Sequence, residues 1–587
     1  MTAKRILAGA VAVAALAGVT LHFKPAPNKG APFIPPNEIA AALCIDQNLF
    51  AERRRLFLSA AMAYADDVAP GAADAYLAPE TLGNIGRRIS TDSAVAQSWF
   101  DHGFAQTADF NHDAAIDAFR RAQAADPGCA MCYWGEAYAW GPNINMPMAA
   151  ESNAPALAAA RNATARRSNA QSWERALIDA IARRYAPEGE GDRADLDAAF
   201  ADAMDAAART YADNDFVLAV AAEANMTTQA WAYWGADGAT PVGRTARTLE
   251  LLETVLARSP GYPPAIHLYI HAVEGSTNSY RARDYANVLA SRAPDLGHLV
   301  HMPTHIYYRT GEWEASIANS IQAVKANEDF IAIGGASPLL EYGYYPHNLH
   351  FLLISAQMSG HAELALETAT KLADSFPAEF DAFAAWVKLI EAAPYLAQAQ
   401  FGDASMLDQL RAPQAGDGYL QAMWRYARGE MLAKSGDAAA AIAEIASTAD
   451  LSYLDAEYYP STDILKLAEL MVLARAARAD GDHEGAIEFL ERAVAIERTL
   501  PVFDMPVWHY PPRQSLAAAV LQAGDPIRAN HLFYETLVEA PNNAWALYGL
   551  AESFRAMGHR SGRRMAMKLF DEAWLGASRA KPELLEL

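Results

Sequence analysis

The chain has 587 residues, with 47 Lys and Arg against 70 Asp and Glu, for a formal net charge of −23. That balance excludes nucleic acid or an anionic membrane surface as the main partner, because both demand a basic footprint that releases counterions. Hydrophobic residues at 52% and charged residues at 20% exclude a disordered or collagen-like chain, and the length fits several domains or one long repetitive array.

The first segment has the layout of an address. Lys4 and Arg5 precede an uncharged apolar run from Ile6 to Phe23, and Lys24 and a Pro-rich stretch follow. Residues 1–23 therefore read as a signal peptide, although a run of this length also suffices for an N-terminal anchor. The body is expected in the periplasm or outside the cell, touching a membrane only through an uncleaved N-terminal segment. Residues 24–90 read as a linker and an N-terminal helical cap. Three cysteines are too few for a disulfide framework. In an oxidising compartment Cys129 and Cys132 either close a small disulfide or stay as two buried thiols, and Tyr133 stands where a haem-attachment CxxCH needs histidine.

From Thr91 onward, Ala-rich stretches with 3.6-residue periodicity and no alternating strand pattern predict an all-α body. Trp99, Gly103, Ala115, Phe119, Ala122 and Pro127 form a phrase that returns around Gly311-Glu-Trp, Gly436-Asp, Gly481-Asp-His, Gly524-Asp-Pro and Gly558. This phrasing resembles the tetratricopeptide repeat (TPR) family, and the resemblance covers about 90–565. It implies an α-solenoid of TPR-like antiparallel helix pairs with helical caps at both ends. TPR-like repeats are expected over 91–150, irregular helical repeats over 151–260, further TPR-like repeats over 261–375 and 376–565, and a C-terminal cap over 566–587. Within the irregular part, helices are expected at 215–226 and 244–257.

Seven of the 15 histidines fall between His267 and His350, in the phrases HLYIHAVE (His267, His271, Glu274), HLVHMPTH (His298, His301, His305) and HNLH (His347, His350). Helical spacings of three and four place each set on one face. In the register implied by the resemblance, with Pro260 and Pro294 closing repeats and Gly360 matching Gly311, these positions line the concave groove of three neighbouring first helices. Packed neutral imidazoles leave many donors and acceptors unmet, and protonation sets like charges together, so a bound metal resolves both conflicts. The alternatives are hydrogen-bonding rungs between helices or a pH-dependent groove for an acidic peptide. Six others, His102, His112, His361, His483, His531 and His559, read as ordinary core or surface residues.

His298 and His305 start about 10 Å apart along a continuous helix, which predicts two metal centres. One grouping takes His267, His271 and His305; the other takes His298, His347 and His350, with His301 able to join either. Imidazole suits Zn, Cu, Fe and Ni. A histidine-only pair of sites is similar to the dicopper centres of tyrosinases and hemocyanins, which makes two copper ions the expected cofactor, with zinc or iron as the alternatives. No HExxH, P-loop, dinucleotide fingerprint or G-x-S-x-G elbow is present. Glu274 is placed to orient an imidazole or to act as general base, and Tyr308 and Arg309 to meet substrate or brace the ligands. Tyr344, Tyr345 and Asn348 flank the third phrase, the loop Gly141–Met148 is placed to close over the cavity, and His509 is a candidate eighth ligand. HLYIHAVE, HMPTHIYYRTG, YYPHNLH and WHYPPRQSL together resemble a group of bacterial exported TPR proteins. The expected function is a dinuclear copper oxidoreductase acting on a small molecule or peptide in the groove. The alternatives are a zinc-type hydrolase, a scaffold for a peptide or protein partner, and a metal storage or delivery protein.

Overall fold

Short polar side chains start many of the helices. Ser93, Asn214, Asp417, Asp482, Asp525 and Asn543 each accept a hydrogen bond from a backbone N–H three residues on, opening helices Ala94–Ala108, Asp215–Thr227, Gly418–Lys434, His483–Glu497, Pro526–Glu539 and Ala544–Ala556. The computed structural model describes residues 82–587 apart from 84, 236, 336, 378–379, 381–384, 415–416, 446–459, 501–505 and 577–580. The expected signal segment and most of the N-terminal cap lie outside the described residues.

The body is an all-α solenoid of antiparallel helix pairs, with no strand among the described residues beyond an isolated bridge between Trp234 and Pro241. Helices expected at 215–226 and 244–257 appear as Asp215–Thr227 and Thr245–Arg258. The recurring glycines mark the turns inside pairs: Gly311, Gly360, Gly436, Gly481, Gly524 and Gly558 all have φ between +70° and +90°. That left-handed conformation is open to glycine at little cost. At Gly311 a side chain is excluded twice over, since a Cβ there would lie 2.0 Å from the Pro541 carbonyl oxygen.

This last contact joins distant parts of the chain. Trp313 Nε1 donates to the Asn542 carbonyl at 2.8 Å, Trp545 Nε1 to the Gln357 carbonyl at 2.8 Å, and the Leu575 N–H to the Ser359 carbonyl at 2.9 Å. The last repeats thus curl back onto the middle ones.

Six helices of the middle segment carry the histidine phrases or pack on them: α1 (Pro263–Glu274), α2 (Arg283–Arg292), α3 (Gly297–His301), α4 (Pro303–Thr310), α5 (Trp313–Phe330) and α6 (Tyr345–Met358). The α3–α4 break has a local cause. Pro303 has no N–H to continue the helix, and it occupies the first position of α4, where none is needed. The buried apolar residues form two main clusters, one drawn from residues 82–344 and the other from 313–587, and α1 and α6 belong to different ones. The imidazoles therefore sit at the seam between two cores. Cys129 and Cys132 form a disulfide at the start of the helix Ala130–Ala139, both sulfurs buried. Among the described residues no helix is long and apolar enough to cross a membrane.

Candidate metal centre

All seven histidines of the three phrases are at most 7% exposed. Six of them converge as two triads whose candidate ligand nitrogens lie within 4.8 Å of one another: His267, His271 and His298, and His301, His305 and His347. The grouping differs from the one expected for a continuous helix. Because α3 ends at His301 and α4 restarts at Pro303, His298 turns toward α1, while His301 and His305 stay together and face α6. His350 joins neither triad. From the N-cap of α6 onward Tyr344, His347, Asn348 and Phe351 share one stripe, and His350 stands roughly 160° round the helix from Asn348.

The hydrogen bonds around the triads orient the rings. Glu274 reaches both: Oε1 accepts from His271 Nδ1 and Oε2 from His305 Nδ1, each at 2.7 Å. His301 is fixed within its own turn. The Thr304 hydroxyl donates to the His301 carbonyl at 2.7 Å, which leaves Thr304 Oγ1 to accept from His301 Nδ1 at 3.2 Å. The His267 ring donates to the Ala108 carbonyl, and its Nε2 has no hydrogen-bond partner. When the Nδ1 of a neutral imidazole carries the proton, its Nε2 presents a lone pair.

In the second triad this arrangement sets two lone pairs against each other. His301 Nε2 and His305 Nε2 are 2.8 Å apart, and His347 Nε2 is 3.1 Å from His301 Nε2. Two neutral rings in these orientations repel at such a distance, and either a proton carried by His305, the ring whose charge lowers Glu274, or a metal ion between the nitrogens removes the repulsion. A metal held at 2.0–2.1 Å by imidazoles spaces its ligand nitrogens about 3.3 Å apart in tetrahedral geometry, close to the separations seen. The donor set is imidazole only, three rings per site, which leaves a further coordination position. The residues present therefore fit a transition metal at each triad.

Burial tunes the same groups. It lowers the pKa of His267, His298 and His301 well below the ordinary histidine value, and the neighbouring imidazoles lower them further. Burial, then His347, pushes His350 down to about 3. All four are held neutral, the form that ligates metal. For Glu274 burial raises the pKa, but the adjoining His305 and His271 outweigh it and hold the carboxyl well below the usual range. Glu274 is thus an anion with both oxygens engaged, one on an imidazole of each triad.

The triads lie side by side. Ring centroids of His271 and His305 are 5.6 Å apart on the Glu274 side, and those of His298 and His301 are 6.0 Å apart on the other. One phenylalanine packs on each triad. Phe110 is 4.5, 6.1 and 5.2 Å from the His267, His271 and His298 rings. Phe351 is 4.8, 4.8 and 5.1 Å from His301, His305 and His347. Phe110 adopts φ 59° and Trp231, 5.2 Å from the His271 ring, φ 64°; strained backbone of this kind clusters at functional sites. Asp109, pushed up to about 8 by burial, accepts the Leu299 N–H at 2.9 Å and a backbone bond from His298, which anchors α3.

Phe110, Asp109 and Thr304 carry no sequence signal as site residues. Asp109 reaches the site from 190 residues away, and nothing in periodicity reports such a contact. Phe351 could have been found, standing one turn past His347 on the same face.

The remaining candidates fall at the periphery. Tyr308 is half-buried and packs on Trp313 and Phe351, one ring removed from the imidazoles, and Arg309 beside it is also half-buried. Tyr344 lies 4.9 Å from the His298 ring, whereas the Tyr345 hydroxyl donates to Glu328. The Gly141–Met148 loop brings Asn145 beside Tyr344, but Met148 turns its sulfur to Arg193 at 3.6 Å. His509 is held by Tyr426 and Gln357 and does not join the triads. His361 and His559 cap helices.

Fold and site together define an all-α, TPR-like helical-repeat protein with two buried imidazole triads compatible with metal binding. No family model and no curated protein matches the chain. Among solved structures it is similar to the P58(IPK) TPR domain, at 14% identity over 58% of this chain and 91% of that one, with a TM-score of 0.19. A human IFIT1 dimer with m7Gppp-AAAA matches at 13% identity over 90% and 95% of the two chains, and yeast Tom70 at 13% over 81% and 91%, each with a TM-score of 0.27.

Proposed function

We propose that the chain is an exported metalloprotein that holds two transition-metal ions, one on each imidazole triad. The observation that carries the reading is the 2.8 Å approach of His301 Nε2 to His305 Nε2, with both Nδ1 atoms already engaged by Thr304 and Glu274. Export is supported by the charged-then-apolar start of the sequence and by the Cys129–Cys132 disulfide.

Copper is the metal the donor set favours. Neutral imidazole without carboxylate or thiolate suits it, and it stands highest in the divalent affinity order. Two adjacent three-imidazole sites in an apolar setting then point to an oxidoreductase, in which the copper ions supply redox chemistry with dioxygen. This chain's residues supply spacing, through the α3–α4 break; orientation, through Glu274 and Thr304; and exclusion of water, through Phe110 and Phe351. Tyr308 and Arg309, less buried than the imidazoles, are assigned to contact with a small-molecule or peptide substrate.

The test is to load the purified protein with copper or zinc and follow oxygen uptake with phenolic and amine reductants. Uptake with copper, and none with zinc or in a His301→Ala/His305→Ala variant, is expected. Copper bound without any uptake would overturn the oxidoreductase reading in favour of storage. An intact fold that takes up no metal would leave a binding scaffold.

A further inference from the structure

The two triads meet along two edges, and the edges differ. The His271–His305 edge is closed by Glu274. The His298–His301 edge faces the α6 stripe, where Tyr344, His347, Asn348 and Phe351 follow at i, i+3, i+4 and i+7. Tyr344 packs on the His298 ring and Phe351 on the His301 and His305 rings, and Asn348 lies between them in helix register.

Asn348 is 1% exposed, and neither its amide oxygen nor its nitrogen has a hydrogen-bond partner. The Asn145 side chain lies beside the Tyr344 hydroxyl, and both nitrogens of His298 and the Oδ1 of Asn145 are buried without a partner. Buried polar groups are rarely left unsatisfied. Here several gather along one edge of the centre, and together they offer two amides and a phenol, a donor and acceptor set that no apolar ligand satisfies.

We propose that Tyr344, Asn348 and Asn145 form a pocket for a small anionic ligand of the metal pair, hydroxide being the resident one and linear triatomic anions such as azide its analogues. The ligand occupies the open coordination position on the His298–His301 edge and hydrogen-bonds to the Asn348 amide and the Tyr344 hydroxyl. The inference rests on the metal-binding reading and names the ligand site that reading leaves open.

The experiment titrates azide into the copper-loaded full chain by the ligand-to-metal charge-transfer band, for wild type, Asn348→Leu and Tyr344→Phe, with metal content measured in every sample. Both variants are expected to keep the wild-type metal content and to bind azide about tenfold more weakly, the loss of roughly one hydrogen bond to a charged ligand. Azide affinity within twofold of wild type in both variants, at full metal content, would overturn the pocket while leaving the metal sites standing. Metal-free wild type would overturn both at once. Should Asn348→Leu lose its fold, Tyr344→Phe, which removes a single oxygen, decides.

Discussion

Glu274 illustrates how much one side chain can determine. Its two oxygens hold one imidazole of each triad, so its loss is felt at both. In Glu274→Gln one end of the group becomes an N–H donor facing an imidazole N–H, and at least one ring turns away. Metal affinity at both sites is expected to fall by about 10–100-fold, measured by competition with a chromophoric chelator, with an unchanged far-UV spectrum. His350→Ala is the matched control. Because His350 belongs to neither triad, this variant is expected to keep the full metal content, and loss of an equivalent would show that His350 is a ligand after all. Spacing put each histidine phrase on one helix face, since i+3 and i+4 positions share it, and the repeat register set the three faces toward one groove. Phe110 and Asp109 were not legible in the sequence, because their places depend on a backbone in an unusual conformation and on a contact across 190 residues.

At the scale of elements, the recurring glycines made the helix pairs readable before any coordinates. The left-handed turn they serve is a local requirement, so it leaves a mark at a fixed place in each repeat. Gly311→Ala sets a side chain into that conformation and against the Pro541 carbonyl. It is expected to destabilise the protein by about 2 kcal/mol or more, seen as a lower midpoint in thermal or urea unfolding; an unchanged midpoint would refute the account of this turn. The grouping of the imidazoles was harder to read. A helix drawn straight through HLVHMPTH sends His298 to α6 and His305 to α1. The interruption at Met302–Pro303 exchanges them, and a proline two residues before a histidine announces a break without saying how far the ring will swing.

For the whole molecule, the return of the last repeats onto the middle ones and the placing of the site at the seam of two cores tie stability to the state of the imidazoles. Burial lowers His102 and His112 to about 4 and holds His267, His298 and His301 well below the ordinary histidine value. The unfolded chain protonates these groups near pH 6.5, the folded one only well below that, so their contribution is complete above about pH 6.5 and is lost as pH falls toward 4. Asp109, raised to about 8, Glu497, to about 7, and Asp101, to about 6, work in the opposite sense, as do the raised Glu223 and Asp113, and these carboxyls are outnumbered by the lowered histidines, which include His350 and His509. Metal-free protein is therefore expected to lose stability steadily between pH 6.5 and 4 in urea unfolding, and metal to raise the midpoint most at neutral pH, where protons do not compete for the ligands.

Metal stoichiometry across single variants reaches the central claim most directly. Quantified by elemental analysis, the loaded wild type is predicted to hold two equivalents of one transition metal per chain. His298→Ala and His267→Ala are each predicted to lose one ion and to keep the His301–His305–His347 site, while His347→Ala loses the other and keeps the first. A correctly folded wild type that binds no metal, or a His298→Ala variant that behaves like His347→Ala, would contradict the account.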